Sequence, residues 1–441
     1  MIFSLDVRRA RKGDCLLLHF GSKADPGLIL IDGGPASVYT PHLKPRIAAI
    51  RAARKLKKED PLPVDLLMVS HVDDDHIRGI LDLAKDLIVE DEAHRPLPLS
   101  VLSFWHNSFD NIIGKDPKEL TASFKSSPFG AASKDGALPK EATIDADDPS
   151  LEEEEITSNL KVLASIAQGA ALRAAAKKLG FLTNPENDGK LIVASDESSP
   201  VEIAEGLTFT VIGPMLPEIK ALQRQHDEWL KELKKAGKTP EQALAAYVDK
   251  SVPNLSSIVV LAEADGHSML LTGDARGDKI LEGLELLELV EQGGTLEVDL
   301  LKVPHHGSSN NLDDDFFERV IAKHYVFSGN GEHGNPERES LEMLLAARGN
   351  ADYAVHLTYP IDEIDTAREE DWNKERAKEK KKKEANPNKK VRPAWSPEKH
   401  SLAAFVEDNP EFAAKIKIVD AQKAHVIDLG SPLGQVWPSL A

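Results

Sequence analysis

Six consecutive positions, His71-Val72-Asp73-Asp74-Asp75-His76, hold two imidazoles and three carboxylates. Both groups are competent ligands for first-row metals. Three adjacent carboxylates repel one another. A solvated acidic turn tolerates that through water, and a divalent cation would offset it within one tight loop. Three other loops carry residues of the same chemistry. Asp274 lies in "MLLTGDARG", His305 and His306 in "DLLKVPHHGSSNN", and His333 in "SGNGEHGNPE". An aspartate after a strand and a glycine is by itself an ordinary turn residue. Two adjacent histidines at the end of an apolar strand are harder to place by packing, because each ring nitrogen needs a partner. Either His305 or His306 could be the ligand.

All four loops follow an apolar run of strand length, and such loops at strand ends are where sites tend to be built. "VDLLMVS" reads as a buried strand ahead of His71, and "RGILDLAKDLI" continues from the loop with helical spacing. Upstream, "MIFSLDV", "DCLLLHFG" and "GLILIDGG" read as short strands, the last closing on the turn Asp32-Gly33-Gly34. "SSIVVLAEADGHSMLLTGDA" reads as a hairpin turning at Asp265-Gly266. Helices and strands then alternate, with "DDDFFERVIAK" a helix, "HYVFSGNGEHG" a strand and "FAAKIKIVDAQKAHVIDLG" a closing hairpin. Two β-rich halves with helices outside predict an α/β fold of the αββα sandwich kind. "SLEEEEITSNLKVLASIAQGAALRAAAKKLG" reads as a helix, with Ser150 as N-cap and Gly180 closing it. It is either a capping helix with exposed basic residues or one whose face covers the cleft, with Arg173 near a phosphate.

The chain has 441 residues, 41% of them hydrophobic, and a net charge of −19. That balance disfavours a grip on nucleic acid by the whole surface, since phosphates need a positive footprint. It leaves room for a local basic path, and "NKERAKEKKKKEANPNKKVRPAW" is one. This segment is expected to be a surface helix or loop, a phosphate-binding arm or a lid. Exposed basic chain is also easily cut, so a regulatory protease is a second candidate partner, and a homo-oligomer stays open. One cysteine, Cys15, excludes an internal disulfide and fits a reducing compartment. The charged start lacks the apolar core of a signal peptide. No apolar run approaches the ~20 residues of a membrane span. A cytoplasmic protein is expected.

The set as a whole resembles the metallo-β-lactamase superfamily, in particular its ComEC-type branch. The resemblance rests on H-x-D-x-D-H at His71 to His76, "TGD" at Thr272 to Asp274 and "HHGS" at His305 to Ser308. "KGDCLLLHF" and "LILIDGG" are similar to the family's first hairpin. It covers about residues 1–100 and 205–345, with the closing hairpin. It implies a hydrolase domain over 1–345 with a helical insertion at about 110–205. C-terminal strands over 346–441 would complete the fold, interrupted by the lysine-rich excursion at about 361–400.

The resemblance also implies two divalent metal ions. One would be held by His71, Asp73 and Asp274, the other by Asp75, His76, Asp274 and His305, with His306 the alternative to His305. Asn254 stands where relatives carry a third histidine. Gly334-Asn335-Pro336 replaces a "GHP" loop, with His333 just before it. Two ions about 3.5–4 Å apart hold a bridging hydroxide near neutral pH, which here would attack a phosphodiester. Asp75, His306 and His333 are then the catalytic candidates, with Ser308, Asn330, Asn254 and Arg173 as substrate contacts. The carboxylate-rich donor set admits Mn²⁺ or Mg²⁺ beside Zn²⁺. Nucleic acid is the expected substrate. The alternatives are a small substrate (a lactone, thioester or cyclic nucleotide) and an inactive, metal-stabilised binding protein.

Overall fold

The computed structural model describes residues 1–107, 168–220, 256–421 and 423–440. Short β-branched and aliphatic runs form β1 (Ile2–Val7), β2 (Leu16–Gly21), β3 (Pro26–Ile31), β4 (Leu62–Val69), β5 (Leu99–His106) and β6 (Leu182–Thr183). A second series comprises β7 (Val201–Ala204), β8 (Leu207–Gly213), β9 (Val259–Ala264), β10 (His267–Leu271), β11 (Leu296–Lys302), β12 (Val320–Phe327), β13 (Ala354–Leu357) and β14 (Ile416–Ile418). The last strand, β15 (Val426–Asp428), returns to the first series. The first sheet runs β15-β1-β2-β3-β4-β5-β6 and the second β14-β13-β12-β11-β10-β9-β8-β7.

Each sheet is antiparallel at one side and parallel at the other. β1, β2 and β3 pair antiparallel before β4, β5 and β6 join in parallel. In the second sheet β7 to β10 pair antiparallel, and β11 to β14 extend it in parallel. Parallel neighbours need crossovers. Helices Asp74–Glu92, Gly277–Leu286 and Arg338–Arg348 provide three of them.

Strand alternation sorts the side chains into layers. Phe3, Leu5 and Val7 of β1 pack in one cluster with Phe209 of β8 and Met269 and Leu271 of β10. Leu30 and Leu67 point the other way, onto Ile47, Ile77, Ile80 and Leu83 of the helices. Leu270 and Leu301 do the same on the second sheet, against Ile280, Leu284 and Phe316. The chain is a mixed α/β protein of two sheets with helices.

Two expectations need correction. The closing hairpin does not exist: β14 pairs with β13 in the second sheet and β15 with β1 in the first. Turn residues between two strands announce a turn, but the free edges of β13 and β1 each accept one strand. The helix expected over "DDDFFERVIAK" is confined to Phe316–Arg319, and β12 already begins at Val320. The β-branched Val320 and Ile321 favour the pleated sheet. Of the expected insertion, residues 110–167 lie outside the described residues. Within it, 168–178 are helical, β6 is an edge strand of the first sheet and β7 of the second. The basic segment begins as the helix Ile361–Ala385, whose early turns pack on the loop of His333: Arg368 Nε donates to the Gly334 carbonyl at 3.0 Å.

Candidate metal centre

Four loops meet at the C-terminal ends of β4, β10, β11 and β12, the ends where α/β sheets usually carry their ligands. β4 runs into Ser70 and His71, and Asp73 then takes an extended conformation ahead of the helix Asp74–Glu92. Asp74 and Asp75 occupy the first turn, where the helix dipole favours negative charge. Two close backbone contacts lock this region. A Cβ on Gly79 would fall on the carbonyl oxygen of Gly33, and one on Gly13 on that of Asp75. The second sheet contributes Asp274 after Gly273, whose φ is +51°. It also contributes His305 and His306, with φ of 47° and 56°. The left-handed region costs a non-glycine residue roughly 1–2 kcal/mol. Two such residues in succession re-aim the second imidazole into the interior, a kind of strain that clusters at functional sites.

Asp274 is the hub. Its Oδ1 lies 3.2 Å from His76 Nε2 and 3.2 Å from His306 Nε2. Its Oδ2 lies 3.7 Å from both His71 Nε2 and His305 Nε2. Two groups of ligand atoms, each within 4.8 Å of one another, share Asp75: one is Asp75, His76, Asp274 and His306, the other His71, Asp73 and Asp75. His71 Nε2, His76 Nε2, His306 Nε2 and Asp274 Oδ1 are all buried without a hydrogen-bond partner. Buried polar atoms are nearly always paired. Four orphaned atoms converging on one space, with two further carboxylates at its rim, suit a cation.

The backs of the imidazoles are satisfied instead. His76 Nδ1 lies 2.8 Å from Asp32 Oδ2, and Ser70 Oγ donates to the same carboxylate at 2.6 Å. His306 Nδ1 lies 2.9 Å from Ser328 Oγ. A neutral ring that donates from Nδ1 would turn a bare Nε2 toward the centre, the form a metal needs. Burial pushes His71 down to about 4, with His76 beside it acting in the same direction. For His76 burial acts against the charge, but the Asp274 and Asp32 carboxylates outweigh it and raise it well above the ordinary histidine value. Burial likewise opposes ionisation of Asp274, yet His306, His76 and His305 hold it well below the ordinary carboxylate range. A bound dication would stabilise the same carboxylate charge.

The remaining expected residues fall in different places. His305 is partly exposed at 26% and stands beside Asp274, outside both ligand groups. Asp74 is also outside them and accepts from Gln168 Nε2 at 2.9 Å. Gln168 lies on the helical stretch 168–178, so that stretch touches the acidic loop. Arg173 on the same helix lies close enough for its charge to lower His106, after burial. His333 is an exposed neighbour of Lys12, 3.0 Å from its Nζ. Ser308 is buried next to His306, its N–H donating to the His305 carbonyl at 2.9 Å. Asn330 uses its side chain on Glu332. Asn254 lies outside the described residues. Sequence reasoning missed Asp14, Asp32, Lys302 and Ser328. Asp32 was visible only as a turn residue, and Asp14 as one charge in "RRARKGDC".

The fold and donor set define a mixed α/β protein with clustered imidazoles and carboxylates suited to divalent metal. No known family profile matches the chain. It is 34% identical over 125 residues to microtubule-associated protein 1A of Rattus norvegicus, a match covering 27% of this chain and 4% of that protein. It is 31% identical over 98 residues to ComE operon protein 3 of Bacillus subtilis, covering 22% of this chain and 12% of that protein. The chain therefore spans only a small part of the curated relatives it matches. A solved structure of a proposed metal-dependent hydrolase from Parabacteroides distasonis aligns over 81% of this chain and 98% of that one, at a TM-score of 0.30 and 9% identity. Among the described residues no helix is long and apolar enough to cross a membrane.

Proposed function

We propose that the protein is a hydrolase of the metallo-β-lactamase type, with an αββα sandwich and two divalent cations, that cleaves phosphodiesters in nucleic acid. The observation that carries the metal part is the set of four orphaned buried atoms around Asp274. His71 and Asp73 would hold one ion, Asp75, His76 and His306 the other, and Asp274 would serve both. Bound cations supply Lewis acidity and an activated water at neutral pH. The chain's own groups do the rest. Asp32 and Ser328 hold two imidazoles with Nε2 inward. Asp75 belongs to both ligand groups and could also reach the first ion. His305 and His333 remain outside the ligand groups and could protonate a leaving oxygen. Ser308, Asn330 and Arg173 could contact the substrate. Carboxylates among the ligands favour Mn²⁺ or Mg²⁺ as rivals of Zn²⁺.

The nucleic-acid part is supported by the ComEC-type motifs and by the basic segment. Ten lysines and arginines face three glutamates between Lys374 and Arg392, in a chain of net charge −19. The test is an assay of the purified protein on single- and double-stranded DNA and RNA with Mn²⁺, Mg²⁺ or Zn²⁺. Cleavage lost on Asp75→Ala is expected. Hydrolysis of a generic phosphodiester or a lactone, with every nucleic acid left intact, would replace nucleic acid by a small substrate.

A further inference from the structure

Behind the imidazoles lies a lysine that water does not reach. Lys302 ends β11 and is 1% exposed. Its ammonium stands 2.5 Å from Asp14 Oδ2, donates to the Gly273 carbonyl at 3.1 Å and lies 3.9 Å from Asp274 Oδ1. Asp14 is equally buried, and its Oδ1 has no hydrogen-bond partner. That carboxylate also backs both interior histidines, 3.7 Å from His306 Nδ1 and 3.9 Å from His76 Nδ1.

A buried ion pair is a poor way to gain stability, because two desolvated charges cost about what their attraction returns. Apolar packing would serve β11 better. What the ammonium does is local. The Gly273 carbonyl that it holds also accepts from the His305 N–H at 3.1 Å, and Thr272 Oγ1 donates to the Lys302 carbonyl at 2.7 Å. The residue before Asp274 is thereby tied to the strand that delivers His306. Asp14 follows Gly13, which is pressed against Asp75. Lys302 and Asp14 thus join three of the loops that carry candidate ligands.

We infer that Asp14 and Lys302 form an internal positioning pair for the metal centre. The ammonium fixes the Gly273 carbonyl, and through it the Asp274 carboxylate, while Asp14 balances the ammonium in the interior. Neither residue touches substrate. The inference rests on the metal-centre reading of the site. Removing one partner leaves a lone buried charge close to the ligands; removing both leaves none.

The test uses the full chain, stripped of metal and titrated with Co²⁺, for wild type, Lys302→Met, Asp14→Asn and the double variant. Metal content and the Co²⁺ ligand-field spectrum are read below the melting temperature of each. Each single variant is expected to bind metal about 10–100-fold more weakly, the range for groups that orient ligands. The double variant should recover most of that affinity, since no lone charge remains. Its spectrum should stay shifted, since the hold on Gly273 is gone. Wild-type affinity and spectrum in Lys302→Met would overturn the inference, as would a double variant no better than the singles. Should a single variant not fold, the double decides alone: a wild-type spectrum overturns the pair. A wild-type chain that takes up no metal sinks the metal-centre reading itself, whereas metal retained unchanged in the variants sinks only the pair.

Discussion

Among the described residues, two clusters of three or more histidines are built on opposite rules. Around Asp274, His71, His76 and His306 turn a buried Nε2 without a hydrogen-bond partner toward carboxylates. At the other cluster, His324 on β12, His356 on β13 and His425 ahead of β15 satisfy one another. His324 Nδ1 lies 3.1 Å from His356 Nε2, and His356 Nδ1 lies 2.8 Å from His425 Nε2. Neutral imidazoles carry one donor and one acceptor each, so such a row closes without an ion. Burial, helped by His425 and His324, pushes His356 down to about 2. No carboxylate joins these three rings in a ligand group among the described residues. The candidate ligand set is therefore marked by unmet polarity beside negative charge, and the packing set by mutual satisfaction. Counting histidines would not separate them.

The sharpest way to break this contrast is at Asp274. Asp274→Ala removes the hub of the first cluster, and turnover and at least one bound ion should disappear while the folded far-UV spectrum stays. Metal analysis showing undiminished content would erase the distinction. Next in size is Asp32→Asn, which unsettles the back of His76. Metal affinity should fall by about 10–100-fold, read by competition with a chelating dye. His356→Leu should do the reverse. It leaves the facing nitrogens of His324 and His425 without a partner and should cost about 1–3 kcal/mol in urea unfolding. Its metal uptake should match wild type; a loss of metal there would make the second cluster a ligand set too.

The smallest effect is on pH. A His356 held near 2 refuses protons that the unfolded chain accepts below its ordinary 6.5. Its contribution is complete above that value and declines as pH falls from there toward 2. His324 and His425 are also shifted down, first by burial, with Asp299 and Lys323 acting on the former and Asp6 and Arg8 on the latter. Lys417 adds to the shift at His356. The stability of the metal-free protein should therefore drop from about pH 7 to about pH 5, more shallowly in His356→Leu. Equal slopes in the two proteins would show that the row does not titrate as a buried unit.

Much of the first cluster was legible. His71, Asp73, Asp75, His76, Asp274 and His306 each follow an apolar strand-length run, and a short continuous apolar run bounded by turn residues is readable as a buried strand without a structure. The second cluster was not. His324 and His356 sit inside strands, and His425 stands directly ahead of β15, where nothing in spacing separates a packed ring from a ligand. Asp32 read as a turn because its partner, His76, is 44 residues away. The false hairpin has the same origin: turn chemistry is local, while the choice between the edges of β1 and β13 is not.

The sequence by itself determined which residue types stand at the strand ends and that helices cross between parallel strands. These follow from local periodicity and turn chemistry. Only the tertiary structure decided that His306 turns inward while His305 stays at the rim, because that depends on two left-handed residues in succession. It alone placed Asp14 and Lys302, 288 residues apart, behind the same imidazoles. Which atoms meet is set by sheet register and by how the two sheets face each other, and neither is written in any one segment.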